Sequence, residues 1–452
     1  MRNASIGLVL AWAGLVSGCA APQPTDPQIA SMARDVRSDN CRRTVETLAG
    51  FGTRNTMSDA SSETRGIGAA RRWIESEFRK ISADSGGRLI VETDAYMQQP
   101  DGNRITKPTE IVNVVATLPG TQPESRERIY VISGHYDSMC SDPKDFNCEA
   151  PGADDDASGV GVVLECARVM AKQQFDATIV FMAVAGEEQG LLGSKHWAAA
   201  AKQNGKNIAG MFTNDIVGAS RGPSGVDQSR LVRVFSEGVP TSQSADQARI
   251  RVATGNESDS ASRQLARFVD QSVTAYVPGF DAELVFRRDR YLRGGDHISF
   301  LEQGYPAVRF TEYEENYDHQ HQTPRTENGR DVGDWPKYCD FDYIANVARA
   351  NLVALASLAR GPAAPKNARL VTSKLTNDTT LRWEKSPEPD VVGYEVVWRE
   401  TTAANWQHSK SFGNVTEATL PISKDNVFFG LRAVDAAGHR SVVAAPTPAR
   451  EP

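Results

Sequence analysis

Three consecutive aspartates stand in the stretch PGADDDASG, residues 151–159. Neighbouring carboxylates repel one another, so Asp154, Asp155 and Asp156 need a stabilising partner. One explanation is a helix start, because the following residues are apolar with helical spacing and each acid near a helix N-terminus gains about 0.3–1 kcal/mol. That explanation accounts for one or two acids but poorly for a third. A divalent cation would make the crowding favourable, and the run therefore indicates a metal site.

Two other segments bring metal-binding residue types to the end of an apolar run. His135 and Asp137, in SGHYDS (133–138), are two residues apart, so their side chains point the same way on an extended strand. A carboxylate commonly orients a metal-ligating imidazole, although a surface His–Asp pair would show the same spacing. Glu187 and Glu188 follow another apolar run. Because adjacent strand residues face opposite sides, these two serve one site only if the chain turns there.

Glycines near the glutamate pair and three further candidate metal-binding residues complete the predicted site. Gly186 and Gly190 permit a turn around the glutamate pair, while a solvated acidic loop remains the alternative interpretation. Asp215 ends the apolar run FTNDIVG, where a bare buried charge would be costly. The polar loop YDHQHQTPRT supplies His319 and His321.

Each of these signals is modest alone, but together they are specific. All of the segments lie where strands end and loops begin, which is where α/β sheets build ligand sites. Their side chains offer imidazole nitrogen and carboxylate oxygen, the ligands that a borderline divalent metal prefers. The sequence therefore predicts a metal site, with zinc as the first choice.

Alternating strands and helices must position these residues. Apolar, β-rich runs predict strands at 110–118, 128–138, 177–186, 209–218 and 305–313. Helical periodicity predicts helices at 159–173, 191–203, 259–276, 341–360 and 62–82, the last with Ser62 as a possible cap. This pattern favours an α/β fold with a central mixed, mostly parallel sheet covered by helices on both faces.

The first 18 residues predict a signal peptide, because Arg2 gives a positive start and an apolar run follows. The run closes on LVSGCAAP, which resembles a bacterial lipobox with Cys19 as the lipidated residue. We expect an exported lipoprotein whose lipid anchors it to the outer membrane, facing the periplasm, with plain secretion as the alternative. Residues 19–30 would then form a polar tether.

The cysteines and the net charge give further information about the compartment and the partners of the protein. Disulfides persist in an oxidising compartment, and Cys140 with Cys148 is a plausible local pair. Cys166 is expected as a buried thiol, and a pairing of Cys41 with Cys339 stays open. A net charge of −7 over 452 residues gives no electrostatic argument for nucleic acid binding, and no apolar run after the N-terminus reaches the length of about 20 residues that spans a membrane.

The composition changes at a Pro/Ala-rich linker, residues 361–368. From 369 to 446, short alternating strands and turn residues predict an all-β sandwich. This segment resembles a fibronectin type III domain through Trp383, Tyr394 and the motif GLRAVDAAGHRS, although it lacks the tyrosine usual on the late strand. We expect spacing or binding from it, with a possible protein or glycan contact, rather than chemistry.

Residues 31–360 form the predicted catalytic domain, of which 40–360 resemble the co-catalytic di-zinc aminopeptidases, metallopeptidase family 28 of clan MH. The matching motifs occur in the family's order: GHYDS, PGADDDASG, GEEQGLLGS, ND after an apolar strand, GGDHISFLEQGYPAV and HQT. The resemblance implies a cofactor of two Zn²⁺ ions and peptide substrates with a free N-terminus. It also implies ligands: His135 and Asp215 for one ion, Glu188 and His321 for the other, and Asp155 bridging both.

The same resemblance implies roles for the remaining residues. It makes Glu187 the general base and Asp137 the residue that orients the first histidine. His321 is preferred over His319 because the family pattern is His-x-Thr. The family often places a Tyr or Arg near the oxyanion, but here Gln320 precedes the HQT histidine, so this role does not transfer directly. Arg293 and Tyr317 are the candidates for the oxyanion or substrate. Asp296 and His297 match a family segment but are not ligands in its pattern, and they are expected to be structural.

The predicted function is a zinc-dependent exopeptidase that releases N-terminal residues from peptides. A carboxypeptidase is an alternative, because the ligand set does not fix which peptide end is bound. A glutaminyl-cyclase-like enzyme, with a single working zinc, is a second alternative. A non-catalytic binding protein on the same fold is a third, although such proteins usually lose ligands and none is missing here.

Overall fold

Strands and helices alternate along the chain in the computed structural model, which describes residues 25–373 and 375–450. The helices are α1 (Pro27–Arg34), α2 (Ser38–Gly50), α3 (Gly66–Asp84), α4 (Ser158–Met170), α5 (Leu192–Gln203), α6 (Ala245–Thr254), α7 (Ala261–Tyr276), α8 (His297–Glu302) and α9 (Phe341–Arg360). The strands are β1 (Ile90–Gln98), β2 (Thr109–Leu118), β3 (Arg128–His135), β4 (Thr178–Val184), β5 (Asn207–Asn214), β6 (Leu231–Ser236), β7 (Asp281–Val285), β8 (Ala307–Thr311), β9 (Arg325–Glu327), β10 (Arg330–Val332), β11 (Arg369–Val371), β12 (Thr379–Arg382), β13 (Val391–Glu400), β14 (His408–Gly413), β15 (Glu417–Leu420), β16 (Val427–Asp435) and β17 (Thr447–Ala449).

Eight strands form the central sheet in the order β1-β2-β4-β3-β5-β8-β6-β7. The pairs β4–β3, β3–β5, β5–β8 and β6–β7 are parallel, and the other three pairs are antiparallel. The mixed, mostly parallel sheet is therefore confirmed. Because its central strands are parallel neighbours, their carboxyl ends meet at one edge, where loops can assemble a site.

Helices cover both faces of this sheet. Every residue of β4 is buried, as expected for a strand with apolar neighbours above and below. Alternate residues face opposite sides: Phe181 packs into the core shared with α4, α7 and α9, whereas Val180 and Met182 pack into a second core with α5 and α8. This two-sided packing explains the continuous apolar runs in the sequence.

The C-terminal strands form two further sheets. One has the order β15-β12-β11-β17 and the other β14-β13-β16. Leu381 and Leu420 of the first sheet share a hydrophobic core with Tyr394 and Leu431 of the second. The predicted all-β sandwich is therefore present, and it extends through Ala449, slightly beyond the predicted end at 446.

Buried ion pairs join the sandwich to the α/β domain. The Arg399 guanidinium donates to both carboxylate oxygens of Asp259, at 3.0 and 2.9 Å, and Arg267 lies 3.1 Å from the same carboxylate. Arg128 Nη1 lies 2.8 Å from Glu388 Oε1. All five side chains are buried, so each charge at this contact has an opposite charge beside it.

Two boundary predictions need correction. The tether predicted over 19–30 overlaps α1, which begins at Pro27 and buries Ile29, so residues 27–30 are helical instead. The helix predicted over 62–82 begins at Gly66; Ser62 instead accepts backbone N–H groups of the preceding turn. The predicted signal peptide and Cys19 lie outside the described residues. Within the described ranges, no helix is long and apolar enough to cross a membrane.

The cysteine predictions are settled for the described chain. Cys140 and Cys148 form a disulfide, as expected. Cys166 is a buried free thiol, which confirms that prediction. Cys41 and Cys339 are also free, so the pairing left open for them is not formed.

Candidate active site

The ends of the central strands bring the predicted site residues together. β3 ends at His135, β4 ends shortly before Glu187, and β5 ends immediately before Asp215. Asp155 enters from the turn that joins β3 to α4, and His321 from the loop after β8. Residues far apart in sequence thus share one edge because their strands are parallel neighbours.

Two groups of metal-binding side chains form at this edge. In the first, His135 Nε2 lies 3.1 Å from Asp155 Oδ1 and 4.0 Å from Asp215 Oδ1. In the second, His321 Nε2 lies 2.9 Å from Asp155 Oδ2 and 3.1 Å from Glu188 Oε2. Within each group the ligand atoms lie within 4.8 Å of one another. Asp155 belongs to both groups and presents one oxygen to each.

The donor set fits zinc. Both groups combine one imidazole nitrogen with carboxylate oxygens, which is an ordinary zinc ligand set. Glu188 Oε1 is buried and has no hydrogen-bond partner in the described chain, an arrangement that is costly unless a cation lies nearby. His321 is the most accessible of the five, with 34% of its side chain exposed, so the second group faces the opening.

Asp137 links the first histidine to the glutamate turn. Its carboxylate accepts the backbone N–H of Glu187 at 3.2 Å and of Glu188 at 3.1 Å, and the Thr56 hydroxyl at 3.1 Å. His135 Nδ1 lies 3.6 Å from Asp137 Oδ1 and 3.2 Å from the Asp137 carbonyl oxygen. The predicted orienting residue therefore also fixes the backbone that carries the two glutamates.

The glutamate turn has the glycines it requires. Gly186 and Gly190 have φ of 74° and 124°, a region that favours glycine. The turn lets Glu188 face the second group while Glu187 remains half-buried at the cleft. Burial raises the pKa of the Glu187 carboxyl well above its usual range, more than His135 lowers it. A raised carboxyl pKa suits a group that accepts and returns protons near neutral pH.

The other two aspartates of the run have structural partners. Asp156 accepts the backbone N–H of His135 and of Gly159, both at 2.9 Å, and so ties β3 to α4. Asp154 accepts the N–H of Gly218 at 2.6 Å. Burial raises its pKa to about 7, and burial also raises the pKa of Glu312, which shares a hydrogen bond with it. Only the middle aspartate therefore faces the metal-binding groups.

Two residues that support the aspartate turn were missed by the sequence analysis. Asp334 accepts the backbone N–H groups of Asp154 and Asp155, each at 2.8 Å. Arg54 is fully buried and donates to the carbonyls of Tyr136 and Gly152, at 2.7 and 2.8 Å. Both act on backbone groups across long sequence separations, for which no local pattern exists.

Arg309 is a further missed residue. It is fully buried, and its Nη2 lies 3.0 Å from Asp215 Oδ1 while its Nη1 lies 3.2 Å from Asp289 Oδ2. Its position on β8, inside an otherwise apolar run, was the available signal, since a buried arginine requires a partner. The guanidinium fixes the orientation of the Asp215 carboxylate in the first group.

The pKa directions at the two groups show a shortage of positive charge. Burial alone would lower the pKa of His321, but Glu188 and Asp155 raise it to about 11. Burial is likewise outweighed at His135, where Asp137 and Asp155 raise the pKa well above 6.5. Asp155 shifts the other way, because the two histidines lower its pKa more than burial raises it. The acids thus attract cations, and metal ions can replace these protons.

The remaining predicted residues lie around this centre. His319 stacks on Tyr338, with ring centroids 3.7 Å apart, so His321 and not His319 joins the second group. Asp296 and His297 are buried and belong to neither group, in line with a structural role.

The two candidate oxyanion or substrate residues differ in position. Arg293 lines the cleft over the metal-binding groups, which has a volume of about 430 Å³. Tyr317 is 61% exposed and is not part of the lining, although its ring lies 5.6 Å from the Arg293 guanidinium carbon. Of these two residues, only Arg293 lines the cleft.

Solved structures of similar fold include enzymes. The aminopeptidase from Aneurinibacillus sp. strain AM-1 aligns with a TM-score of 0.51 at 18% identity, over 74% of this chain and 96% of that one. Glutaminyl cyclase from Porphyromonas gingivalis aligns with a TM-score of 0.51 at 18% identity, over 71% and 98%. At such identities the likeness shows the shared fold alone.

Sequence relatives are much closer. A probable zinc metalloprotease of Pyrenophora teres f. teres (strain 0-1) is 45% identical over 430 residues, which cover 95% of this chain and 88% of the relative. Residues 113–335 match the model of peptidase family M28, and this segment contains every residue of the two metal-binding groups. The chain therefore belongs to peptidase family M28.

Proposed function

We propose that this protein is a zinc-dependent aminopeptidase that holds two Zn²⁺ ions. The observation that carries the proposal is the bridging position of Asp155, whose two oxygens face two separate His–carboxylate groups. A set of this kind serves two neighbouring cations better than one. The name of the Pyrenophora relative supports zinc as the metal.

The chain's own residues supply the acid–base chemistry. Zinc bound at these groups supplies Lewis-acid activation of water and of the peptide carbonyl. Glu187, at the cleft beside them, accepts the proton of the attacking water and delivers it to the leaving amine. Asp137 holds the Glu187 backbone N–H and faces the first histidine, so one carboxylate fixes both the base and a ligand.

Cleavage of peptides with free and blocked ends tests this proposal. Peptides with a free N-terminus are incubated with the purified protein beside their N-acetylated counterparts, with and without a chelator, and products are identified by mass spectrometry. Aminopeptidase activity predicts release of the first residue from the free peptide only, and loss of this release in chelator. Release from the C-terminal end of the acetylated peptide would instead identify a carboxypeptidase.

The Glu187→Ala variant tests whether Glu187 acts as the general base and not as a metal ligand. We expect at least a hundredfold lower turnover, because a positioned general base contributes about 10²–10⁴-fold. The metal content should equal that of the unmodified protein, because Glu187 belongs to neither metal-binding group. Loss of zinc in this variant would contradict the assigned role.

Glutaminyl cyclase activity is the second candidate, and the fold shared with the Porphyromonas enzyme favours testing it. It predicts that a peptide beginning with glutamine loses ammonia without losing a residue. Two complete ligand groups argue against a cyclase with one working zinc. They also argue against a non-catalytic binding protein, which would be expected to lack a ligand.

We propose a fibronectin type III-like architecture for the sandwich and export for the whole chain. Four strands facing three, and the packing of Trp383 on Tyr394 with ring centroids 5.3 Å apart, support the first. The Cys140–Cys148 disulfide supports an oxidising compartment. Lipid analysis of the exported protein tests Cys19: a Cys19→Ser variant should lose membrane attachment while it keeps peptidase activity.

A further inference from the structure

The acids that line the cleft all have proposed roles as metal ligands or as the general base, and the lining also contains three arginines. The charged lining consists of Asp155, Glu187, Glu188, Asp215, Arg104, Arg290, Arg293 and His321. The four acids are the three carboxylate ligands and the general base. Among the described residues of the lining, no further acid remains to bind a substrate ammonium group, whereas three arginines are present.

We propose that Arg104 and Arg293 bind a carboxylate of the peptide substrate next to the scissile bond. This inference rests on the proposed peptidase function and names its substrate class. The carboxylate can be the C-terminus of a very short peptide or the side chain of an aspartate or glutamate. The guanidinium group suits either source, because its planar fork of donors matches the two oxygens of a carboxylate.

Arg104 has no acidic partner in the described chain. It lies in the loop between β1 and β2, and its guanidinium donates to the backbone carbonyl of Glu188. No carboxylate of the described residues lies within ion-pair distance of it, in contrast to the arginines buried between the two domains. A partly exposed guanidinium beside a ligand-bearing turn, without an acid, is available to an anion.

Arg293 and Arg290 differ in how far their donors are used. Arg290 donates to Asp289, Glu315 and the Gly294 carbonyl, at 3.0, 2.7 and 3.1 Å, through all three guanidinium nitrogens. Arg293 donates to Glu315 through Nη1 at 2.9 Å and keeps 32% of its side chain exposed. Arg290 therefore supports the wall of the cleft, whereas Arg293 keeps guanidinium donors that can bind substrate.

The exposed side chain of Leu292 extends this wall of the cleft. Leu292, which also lines the cleft, is fully exposed. The segment that carries Arg293 thus presents apolar and cationic surface together at the mouth of the cleft.

Matched substrates test the proposal and distinguish the two sources of carboxylate. The dipeptide Ala-Gly is compared with Ala-Gly-amide, and Ala-Asp-amide with Ala-Asn-amide, by kcat/KM. A charged hydrogen bond predicts a preference of about tenfold or more for the carboxylate in at least one pair, and increasing salt should reduce that preference. Equal rates within both pairs would overturn the proposal.

Variants of the two arginines test whether they cause the preference for carboxylate substrates. Arg104→Gln and Arg293→Gln should each reduce the ratio of carboxylate to amide rates severalfold, and the double variant should bring the ratio close to one. Arg104→Lys should retain part of it, because it keeps the charge. Arg249→Gln, an exposed residue of α6, is the matched control and should leave the ratio unchanged. An unchanged ratio in the double variant would overturn the assignment to these arginines.

A binding measurement keeps the test independent of turnover. Calorimetric titration of the Glu187→Ala protein with uncleaved Ala-Gly and Ala-Gly-amide should show the same preference, and Arg104→Gln in that background should remove it. If no peptide is cleaved in the presence of zinc, the proposed function fails. If the amides are cleaved as well as the acids, that function stands and only the inference about the arginines fails.

Discussion

The edge of the central sheet and the contact between the two domains both bury charged side chains, but they balance the charges differently. At the domain contact, Asp259 has two arginines beside it and Glu388 has Arg128. At the sheet edge, four aspartates and one glutamate are buried, namely Asp154, Asp155, Asp156, Asp215 and Glu188, and the buried arginines there, Arg54 and Arg309, are too few to neutralise them.

This difference separates structure from function in the molecule. A buried ion pair with both partners present is neutral and can join two domains. A buried excess of one sign is unfavourable unless something outside the chain neutralises it. The surplus of acid at the sheet edge therefore points to bound cations. At the domain contact each buried acid has an arginine beside it, which points to a permanent joint. Four substitutions test this comparison.

Asp155→Ala should have the largest effect. The residue is shared by both metal-binding groups, so we expect both ions to be lost at ordinary zinc concentrations and activity to fall below detection. Metal content by elemental analysis and peptide cleavage measure this. The fold should persist, because removal of one acid relieves repulsion in the cluster. A fully active, zinc-loaded variant would contradict the bridging role.

Asp259→Asn should damage stability instead of metal binding. It leaves the buried guanidiniums of Arg399 and Arg267 without a charged partner, and breaking a buried pair costs about 3–5 kcal/mol. Denaturant unfolding measures the loss, while zinc content should stay the same. Asp246→Asn, which breaks an exposed pair with Arg249, is the control and should change stability by less than about 1 kcal/mol.

Asp334→Asn should have an intermediate effect, and it should lower both the stability and the zinc affinity of the protein. The amide keeps one acceptor oxygen, so one of the two backbone N–H groups of the aspartate turn loses its partner. We expect a loss of about 1–3 kcal/mol in unfolding free energy and about 10–100-fold weaker zinc binding, as for other residues that support ligands. Asp331→Asn, on the exposed hairpin nearby, should affect neither. Unchanged zinc affinity for Asp334→Asn would show that the hydrogen bonds from Asp334 to the aspartate turn do not position Asp155.

His439→Gln should have the smallest effect, and a pH-dependent one. His439 Nδ1 lies 2.9 Å from Asp435 and Nε2 lies 3.2 Å from Asp26 at the start of α1, and the hydrogen bond to Asp435 raises its pKa above 6.5 despite burial. Because the folded pKa is the higher one, this stabilisation is complete below about pH 6.5 and is lost as the pH rises through the folded value. The variant should therefore be less stable by about 1 kcal/mol or less at low pH, and equal to the unmodified protein at high pH. A difference that grows with pH would contradict the pairing.

Much of the fold was predictable because it depends on local patterns. The buried strands β3, β4 and β5 were found from apolar runs, and helices α4, α5, α7 and α9 from their periodicity, because each is buried along a continuous face. Strand β1 was missed: it pairs only with β2 at the sheet edge and is largely exposed. Such a strand carries no continuous apolar signal.

The candidate site was predictable where a ligand sits at a strand end or in a recognisable motif. His135, Asp155, Glu188 and His321 meet as expected. Asp334 and Arg54 were not predictable, because each contacts backbone atoms that only the folded chain brings near. The role of Arg104 is also a property of the cleft, since nothing in its own loop distinguishes it from an ordinary surface arginine.

Metal stoichiometry decides between this interpretation of the sheet edge and the alternatives. The purified protein is loaded with zinc, passed through a desalting column and analysed for zinc per chain, and activity is then followed as chelator removes the metal. We predict two zinc ions per chain and loss of peptide cleavage as they are removed. A protein that retains no divalent metal yet cleaves peptides fully in chelator would show that the acid surplus around Asp155 is not balanced by bound cations.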